Sequence, residues 1–295
     1  MSARLFGCGT ALATPFRRDG AVDEKSLRAL VAWQLAEGVH FVVPCGSTGE
    51  AATLTPAEHR RVVEIVVEEV RGRVPVMAGA GANDTARAVA MSREMRDAGA
   101  THLLHVSPMY NKPPQRGIIE HFRRIADATE LPVVVYNVPG RTGSNIEAAT
   151  TLALARLPHI VGVKEASGNM TQIMEILRER PPEFSVLSGD DALTLPVMAA
   201  GGDGIISVVS NATPRAMARL VECCRDGDWA TARALHHRLT PWMQAAFIES
   251  NPIPVKAALA MLGRAENVLR LPLVPLLAMY EARVRESLVT AEALT

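Results

Sequence analysis

Short apolar runs rich in β-branched residues recur along the chain at 10–14, 41–45, 74–78, 102–107, 132–137, 160–164, 185–189 and 204–208. Runs of this length, bounded by Gly, Pro or Asn, read as strands of a parallel sheet covered on both faces. Between them the apolar spacing lengthens to the period of a helix. The clearest helix opens with Thr55-Pro56-Ala57-Glu58: a cap threonine, proline at the first helical position and glutamate at the third. It continues with Val63, Val66, Val67 and Val70, a stripe that would face a sheet. Asn83-Asp84-Thr85 and Thr213-Pro214 mark similar starts.

Strand then helix, repeated, predicts parallel pairing through right-handed crossovers. Eight such units close on themselves, so the expected fold class is α/β, a (β/α)8 TIM barrel. A doubly wound open sheet is the structural alternative. A dinucleotide fingerprint does not support it, because Gly79-Ala80-Gly81-Ala82-Asn83-Asp84 has no glycine at its sixth position. Strand signals stop near Asp226, and the patterns at 229–248, 254–262 and 272–288 read as a C-terminal helical extension. The expected organisation is a barrel over 1–225 and a helical region over 226–295 packed on it, with no low-complexity linker between.

Composition excludes several function classes. Lys+Arg and Asp+Glu each total 31, so no overall field favours nucleic acid or an anionic membrane. The first residues lack the apolar core of a signal peptide, and no uncharged apolar stretch reaches the roughly 18 residues that span a bilayer. Cys8 and Cys45 fall in strands as small buried hydrophobes, and the neighbours Cys223 and Cys224 would bridge each other only with strain. A soluble, cytoplasmic protein in a reducing compartment is expected. His102 and His105 lie three apart in a strand and His236 adjoins His237, neither a metal-ligand spacing on a helix face. No metal and no cofactor are expected.

Lysine is scarce, at Lys25, Lys112, Lys164 and Lys256 only. Lys164 ends the run Ile160-Val161-Gly162-Val163, where packing does not call for a charge. A free lysine is unprotonated in about one molecule in 2,500 at pH 7. Burial penalises the ammonium and lowers the pKa, which makes Lys164 a candidate Schiff-base nucleophile; the ordinary alternative is a side chain that snorkels out. In a barrel the chemistry sits at the C-terminal strand ends. There the second strand enters Gly46-Ser47-Thr48-Gly49-Glu50, the fourth Ser107-Pro108-Met109-Tyr110, the fifth Tyr136-Asn137-Val138-Pro139-Gly140-Arg141-Thr142-Gly143 and the seventh Ser188-Gly189-Asp190-Asp191. Tyr136 and Lys164 would top strands about 4.8 Å apart, and a phenol there can pass protons to and from a carbinolamine or imine. Thr48 and Tyr110 could link it to water. Glu165 would point to the other face of its strand.

These segments, with Gly202-Asp203-Gly204-Ile205-Ile206-Ser207-Val208 and Asn251-Pro252-Ile253-Pro254-Val255-Lys256, resemble the dihydrodipicolinate synthase/N-acetylneuraminate lyase superfamily nearly end to end. Gly140-Arg141-Thr142-Gly143 and the motif at 251–256 favour the 4-hydroxy-tetrahydrodipicolinate synthase branch over the sugar-acid aldolases. The resemblance implies that Lys164 forms an imine with pyruvate and that the derived enamine attacks the aldehyde of L-aspartate 4-semialdehyde, a lyase-class step of diaminopimelate and lysine biosynthesis. It implies Tyr136 as proton shuttle with Thr48 and Tyr110 in relay, and Ser47 and Thr48 N–H groups on the pyruvate carboxylate. Arg141 would hold the semialdehyde carboxylate, and the backbone of Gly189 and Ile206 would line the pocket. In the family the second tyrosine enters from a neighbouring subunit, which implies a homotetramer built as a dimer of dimers. Ser47 stands where relatives often carry threonine.

Three rivals stay open. A sister aldolase acting on a sugar-derived 2-keto acid would use the same Lys164 and Tyr136, but Arg141 suits a carboxylate better than hydroxyls. A non-catalytic pyruvate-binding barrel would not need Lys164, Tyr136, Thr48, Tyr110 and Arg141 together. A metal- or phosphate-dependent barrel enzyme lacks ligand spacing. Lysine-sensitive relatives bind lysine at the dimer interface, and His59 and Asn83 match that pattern. Ala51, Pro56, Arg87 and Met109 stand where such relatives have serine, histidine, glutamate and tyrosine, which implies little feedback by lysine.

Overall fold

The computed structural model describes residues 4–294. Its elements run β1 (Gly7–Ala11), α1 (Glu24–Ala36), β2 (Phe41–Val43), α2 (Pro56–Val70), β3 (Met77–Gly79), α3 (Thr85–Asp97), β4 (His102–Val106) and α4 (Gln115–Ala128). They continue with β5 (Val133–Asn137), α5 (Pro139–Thr142), α6 (Ala148–Leu154), β6 (Ile160–Glu165), α7 (Met170–Glu179), β7 (Ser185–Ser188), α8 (Thr194–Ala199), β8 (Gly204–Ser207) and α9 (Pro214–Arg225). The strands pair in parallel in the order β2-β1-β8-β7-β6-β5-β4-β3. A parallel bridge between Val42 and Val76 joins the two ends of that order, and the Gly79 N–H donates to Pro44 O at 2.9 Å. The open sheet is thereby excluded. The fold is a (β/α)8 TIM barrel.

Strand parity sorts the side chains into two cores. Ala11, Phe41, Val43, Met77, Leu104, Val134, Leu187 and Ile206 fill the barrel interior. The alternate positions Cys8, Val42, Ala78, Leu103, Val135, Val163, Val186 and Ile205 face the helices. Because successive strand residues point to opposite faces, Tyr136 shares the inward parity of Val134, and Lys164 is its register partner on β6. The bottom of the barrel is pinned by Asp203, whose carboxylate meets both Arg4 and Arg180.

Helix starts follow the sequence closely. Thr55 and Glu58 form the reciprocal cap of α2, and Asp84 caps α3 by accepting from Arg87 N–H at 2.7 Å. Thr213 begins α9 differently: its hydroxyl donates to Val209 O at 2.9 Å instead of capping. After the barrel come α10 (Trp229–Ala245), α11 (Ile253–Met261) and α12 (Ala278–Thr290). Leu239, Trp242, Val255 and Leu288 join the same core as the barrel's outward residues. The helix expected from residue 272 starts at Ala278 instead. Pro272 and Pro275 lack N–H donors and disfavour helical backbone in the residues before them. Arg270 anchors this stretch, donating to Gly20 O, Thr53 O and Glu58.

Candidate active site

Lys164 is the penultimate residue of β6, with its side chain inside the barrel, and only 5% of the residue is exposed. Its Nζ lies 4.2 Å from the centroid of the Tyr136 ring on the neighbouring strand. The side chain fits there because position 189 is glycine: a Cβ would sit 2.7 Å from Ala166 Cβ and 3.1 Å from Lys164 Cε. Burial lowers the Lys164 pKa to about 8, with Asp191 opposing the shift and Arg141 adding to it. At neutral pH this raises the share of free amine by two to three orders of magnitude over that of an exposed lysine. Tyr136 moves the other way. Burial raises its phenol to about 12, with Arg141 opposing, so it stands protonated and ready to donate.

Both residues line a cavity of about 180 Å³ at the C-terminal ends of the strands. Ser47 and Thr48 form one wall, Arg141 the other, and Gly189 and Asp190 close the β7 side. The loop after β2 reaches the cavity through left-handed backbone at Cys45 (φ 57°) and Glu50 (φ 52°). Glu50 is held in that conformation by an ion pair with Lys256 and by the N–H of Arg270 at 3.0 Å. Thr48 Oγ1 accepts from Asn251 Nδ2 at 2.9 Å, and Arg141 Nη2 donates to Asn251 O at 3.2 Å. A carboxylate facing this wall would meet the Ser47 and Thr48 amides, which have no acceptor among the described residues. Such a site can hold a small 2-keto acid while a buried amine attacks its carbonyl carbon.

The match to known proteins covers the same ground. A model of the dihydrodipicolinate synthetase family matches residues 4–291. The chain belongs to this family. A 4-hydroxy-tetrahydrodipicolinate synthase of Koribacter versatilis is 51% identical over 291 residues, spanning 98% of this chain and 96% of that relative. A dihydrodipicolinate synthase structure from Thermotoga maritima superposes with a TM-score of 0.97 at 41% identity, covering 99% of this chain and 100% of that one. A family member from Cyanidioschyzon merolae, solved with lysine bound, superposes with a TM-score of 0.95 at 42% identity over 98% of this chain and 99% of its own.

Within the family frame, the chain brings Lys164, Tyr136, Ser47, Thr48, Arg141 and Gly189 around one cavity. Tyr110 stands apart, 88% exposed and held at φ 74° with its N–H on Thr142 O. Ile206 lies in the interior layer below the cavity, and Val208, two residues on, reaches the lining. Glu165 faces α7, accepting from Gln172 Nε2 at 3.1 Å and Asn137 Nδ2 at 3.0 Å.

Sequence reasoning missed Asn251 and Phe247, which the C-terminal helical region sends into the cavity wall. The motif containing Asn251 was visible, but nothing local told which side chain would turn toward the barrel. It also missed Lys256, whose pKa burial lowers to about 8 just as for Lys164. Lys256 is fully enclosed, donating to Val268 O at 2.7 Å and lying 3.9 Å over the Phe16 ring. A depressed pKa therefore does not single out the nucleophile here. Access to the cavity does.

No helix of the described residues is long and apolar enough to cross a membrane, and no group of three His, Cys, Asp or Glu among them could hold a metal.

Proposed function

We propose that this lyase condenses pyruvate with L-aspartate 4-semialdehyde to give 4-hydroxy-tetrahydrodipicolinate. The observation that carries the reading is Lys164, buried, depressed in pKa and opening on a cavity beside a protonated phenol. The Lys164 amine adds to the pyruvate carbonyl carbon, and the carbinolamine loses its hydroxyl as water after protonation. The resulting iminium acidifies the methyl group, whose deprotonation gives an enamine that attacks the aldehyde carbon. Attack by the semialdehyde amino group on the former carbonyl carbon closes the ring and releases the Lys164 amine. Tyr136 delivers and recovers the protons, with Thr48 beside it, and the Ser47 and Thr48 amides hold the pyruvate carboxylate.

Arg141 takes the carboxylate of the second substrate, a two-point contact that a planar guanidinium makes and an ammonium does not. Arg141→Ala should raise the KM for the semialdehyde by tenfold or more and leave imine formation with pyruvate within about twofold. A charge-assisted hydrogen bond lost from a bound state has that scale. Steady-state kinetics with each substrate varied, beside retro-aldol assays on sugar-derived 2-keto acids, test this assignment. Cleavage of such an acid at a rate matching the condensation would move the chain to the aldolase branch.

Tyr110 completes the relay from a second copy of the chain. Its side chain is exposed in the single chain, at a backbone conformation that a bulky residue rarely adopts without outside support. The catalytic unit is then a dimer, and two dimers form a tetramer. A variant that sediments as a monomer should retain pyruvate labelling at Lys164 and lose most of its turnover. A fully active monomer would assign Tyr110 no part in the relay.

Free lysine should not regulate this chain. His59 is buried with Nε2 on Gly79 O at 2.8 Å, Asp84 is occupied in capping α3, and Arg87 presents a cation on the first turn of that helix. A cation near the site of an incoming ammonium repels it by several kcal/mol at about 4 Å and effective dielectric near 20, before screening. Millimolar L-lysine should leave the rate within 20% or so of its uninhibited value, on the order of the small residual expected when affinity is lost. Saturable inhibition below millimolar would show that Asp84 leaves its cap to bind the ligand.

A further inference from the structure

Lys256 and Glu50 form a buried ion pair that the chemistry above leaves unused. Neither residue lines the cavity, and Lys256 is wholly shielded from solvent. The ammonium meets Glu50 Oε1, donates to Val268 O at 2.7 Å and lies 3.9 Å over the Phe16 ring. Among the described residues Glu50 Oε1 has no partner but that ammonium, and Oε2 accepts from Arg270 N–H at 3.0 Å. Burial lowers the Lys256 pKa to about 8 while Glu50 opposes the shift, so the ammonium prevails at neutral pH. Two opposite charges taken out of water are costly, and well-packed apolar residues often match them in stability. Stability alone does not account for the pair. Its place in the chain does.

Glu50 closes the loop that carries Ser47 and Thr48. Its backbone N–H donates to Ser47 O at 3.2 Å, and that carbonyl shares a peptide plane with the Thr48 N–H. Fixing the carbonyl fixes the direction of the amide. The turn is made with Glu50 at φ 52°, left-handed backbone that a residue with a Cβ adopts only at a cost. The buried pair opposes that cost. On the other side, Lys256 follows Asn251 along the segment that enters α11. Asn251 Nδ2 donates to Thr48 Oγ1 at 2.9 Å, and Asn251 O accepts from Arg141 Nη2 at 3.2 Å. The loop and this segment are thus tied twice, Thr48 to Asn251 and Glu50 to Lys256. The barrel side leaves the loop no slack. Thr14 Oγ1 donates to Gly49 O at 2.7 Å, and a Cβ on Gly49 would come within 3.0 Å of Leu12 O.

We propose that Glu50 and Lys256 are positioning residues for the pyruvate carboxylate: their ion pair sets the turn that aims the Ser47 and Thr48 amides into the cavity and seats Asn251 against Thr48. This rests on the reading of those amides as the carboxylate cradle. Donors fixed in advance hold an anion without reorganising as it arrives, and their bonds weaken steeply with misalignment. The ketone that meets Lys164 makes no such demand on the loop.

Pyruvamide separates positioning from plain stability, because it replaces the carboxylate by an uncharged amide of similar size. Both compounds offer the same ketone to Lys164, and cyanoborohydride reduces either imine while sparing the free ketone. At equal, subsaturating concentrations the parent should be trapped faster with pyruvate than with pyruvamide. The double variant Glu50→Gln with Lys256→Met strands no charge. Its preference for pyruvate should fall about tenfold while pyruvamide trapping stays within about twofold, the scale of one charge-assisted hydrogen bond lost. Equal losses with both compounds in the folded double variant would make the pair merely structural and overturn the proposal. An unchanged preference would overturn it too. Should the double variant fail to fold, Glu50→Asp decides. It keeps the charge but not the reach, and Lys256, gripped by Val268 O and Phe16, cannot follow. The preference should fall likewise, and an unmoved preference overturns the proposal. A parent trapped equally well with both compounds ends the reading of the Ser47 and Thr48 amides first, and this inference with it.

Discussion

Borohydride added with pyruvate should reduce an imine onto Lys164, and peptide mapping should find no adduct on Lys25, Lys112 or Lys256. Lys256 is the informative control, because burial brings it to the same pKa of about 8. If a free amine were enough, both lysines would react. Lys256 is locked between Glu50, Val268 O and the face of Phe16, so pyruvate has no path to it, whereas Lys164 opens on the cavity. Lys164→Ala should lower turnover on the order of 10⁴-fold or more, the scale seen when a covalent nucleophile is removed. The same amine sets the pH profile. Below its pKa of about 8 the reactive fraction grows about tenfold per pH unit, and above it the gain stops. Adducts on Lys256 with Lys164 untouched would end the assignment.

Tyr136→Phe should keep pyruvate binding and lose the turnover. The ring remains to pack beside Lys164 Nζ, 4.2 Å from its centroid, so pyruvate binding should stay near the parent value while imine formation, read by borohydride labelling, slows. In the proposed mechanism the hydroxyl carries protons between carbinolamine, imine and water, and a lost acid–base group costs roughly 10²–10⁴-fold in kcat. The phenol pKa near 12 gives the direction of its work. Burial keeps the phenol protonated and makes it a reluctant acid, so any proton it gives must be returned at once, because a buried phenolate is unfavourable. The proposed relay would return that proton through Thr48, whose hydroxyl accepts from Asn251 Nδ2 at 2.9 Å. Near-normal kcat in Tyr136→Phe would reduce Tyr136 to a packing residue and return the proton transfer to water in the cavity.

Lys164 and Tyr136 were legible before any coordinates because strand periodicity is a local property. A side chain on a strand faces in or out by its parity with its neighbours, and the parity of Val134 and Tyr136, or of Gly162 and Lys164, can be counted. Helix starts were legible for the same reason at Thr55 and Asp84, where the cap bonds span three residues. Thr213 began its helix as expected but turned its hydroxyl back onto Val209 O, a choice made by the turn after β8 and not by the cap pattern.

Asn251, Phe247 and Asp191 were not legible. Asn251 meets Thr48 across 203 positions of chain, and the meeting depends on how α10 and α11 pack over the barrel mouth. Asp191 reads in sequence as the second half of a helix cap, and only the closure of β8 beside β7 brings Ser207, Val208 and Val209 onto it.

By itself the sequence determined the repeat of strand and helix, the placing of Lys164 and Tyr136 at the tops of neighbouring strands, and a loop chemistry whose resemblance reached the family. Those are carried by spacing between near neighbours, where a period of two or 3.6 leaves its mark. The tertiary structure alone decided which of two depressed lysines faces a cavity, and that Tyr110 stands exposed outside the lining of its own site. Each of these depends on contacts between residues far apart in the chain, or on a surface that one chain leaves uncovered, and neither produces a local pattern.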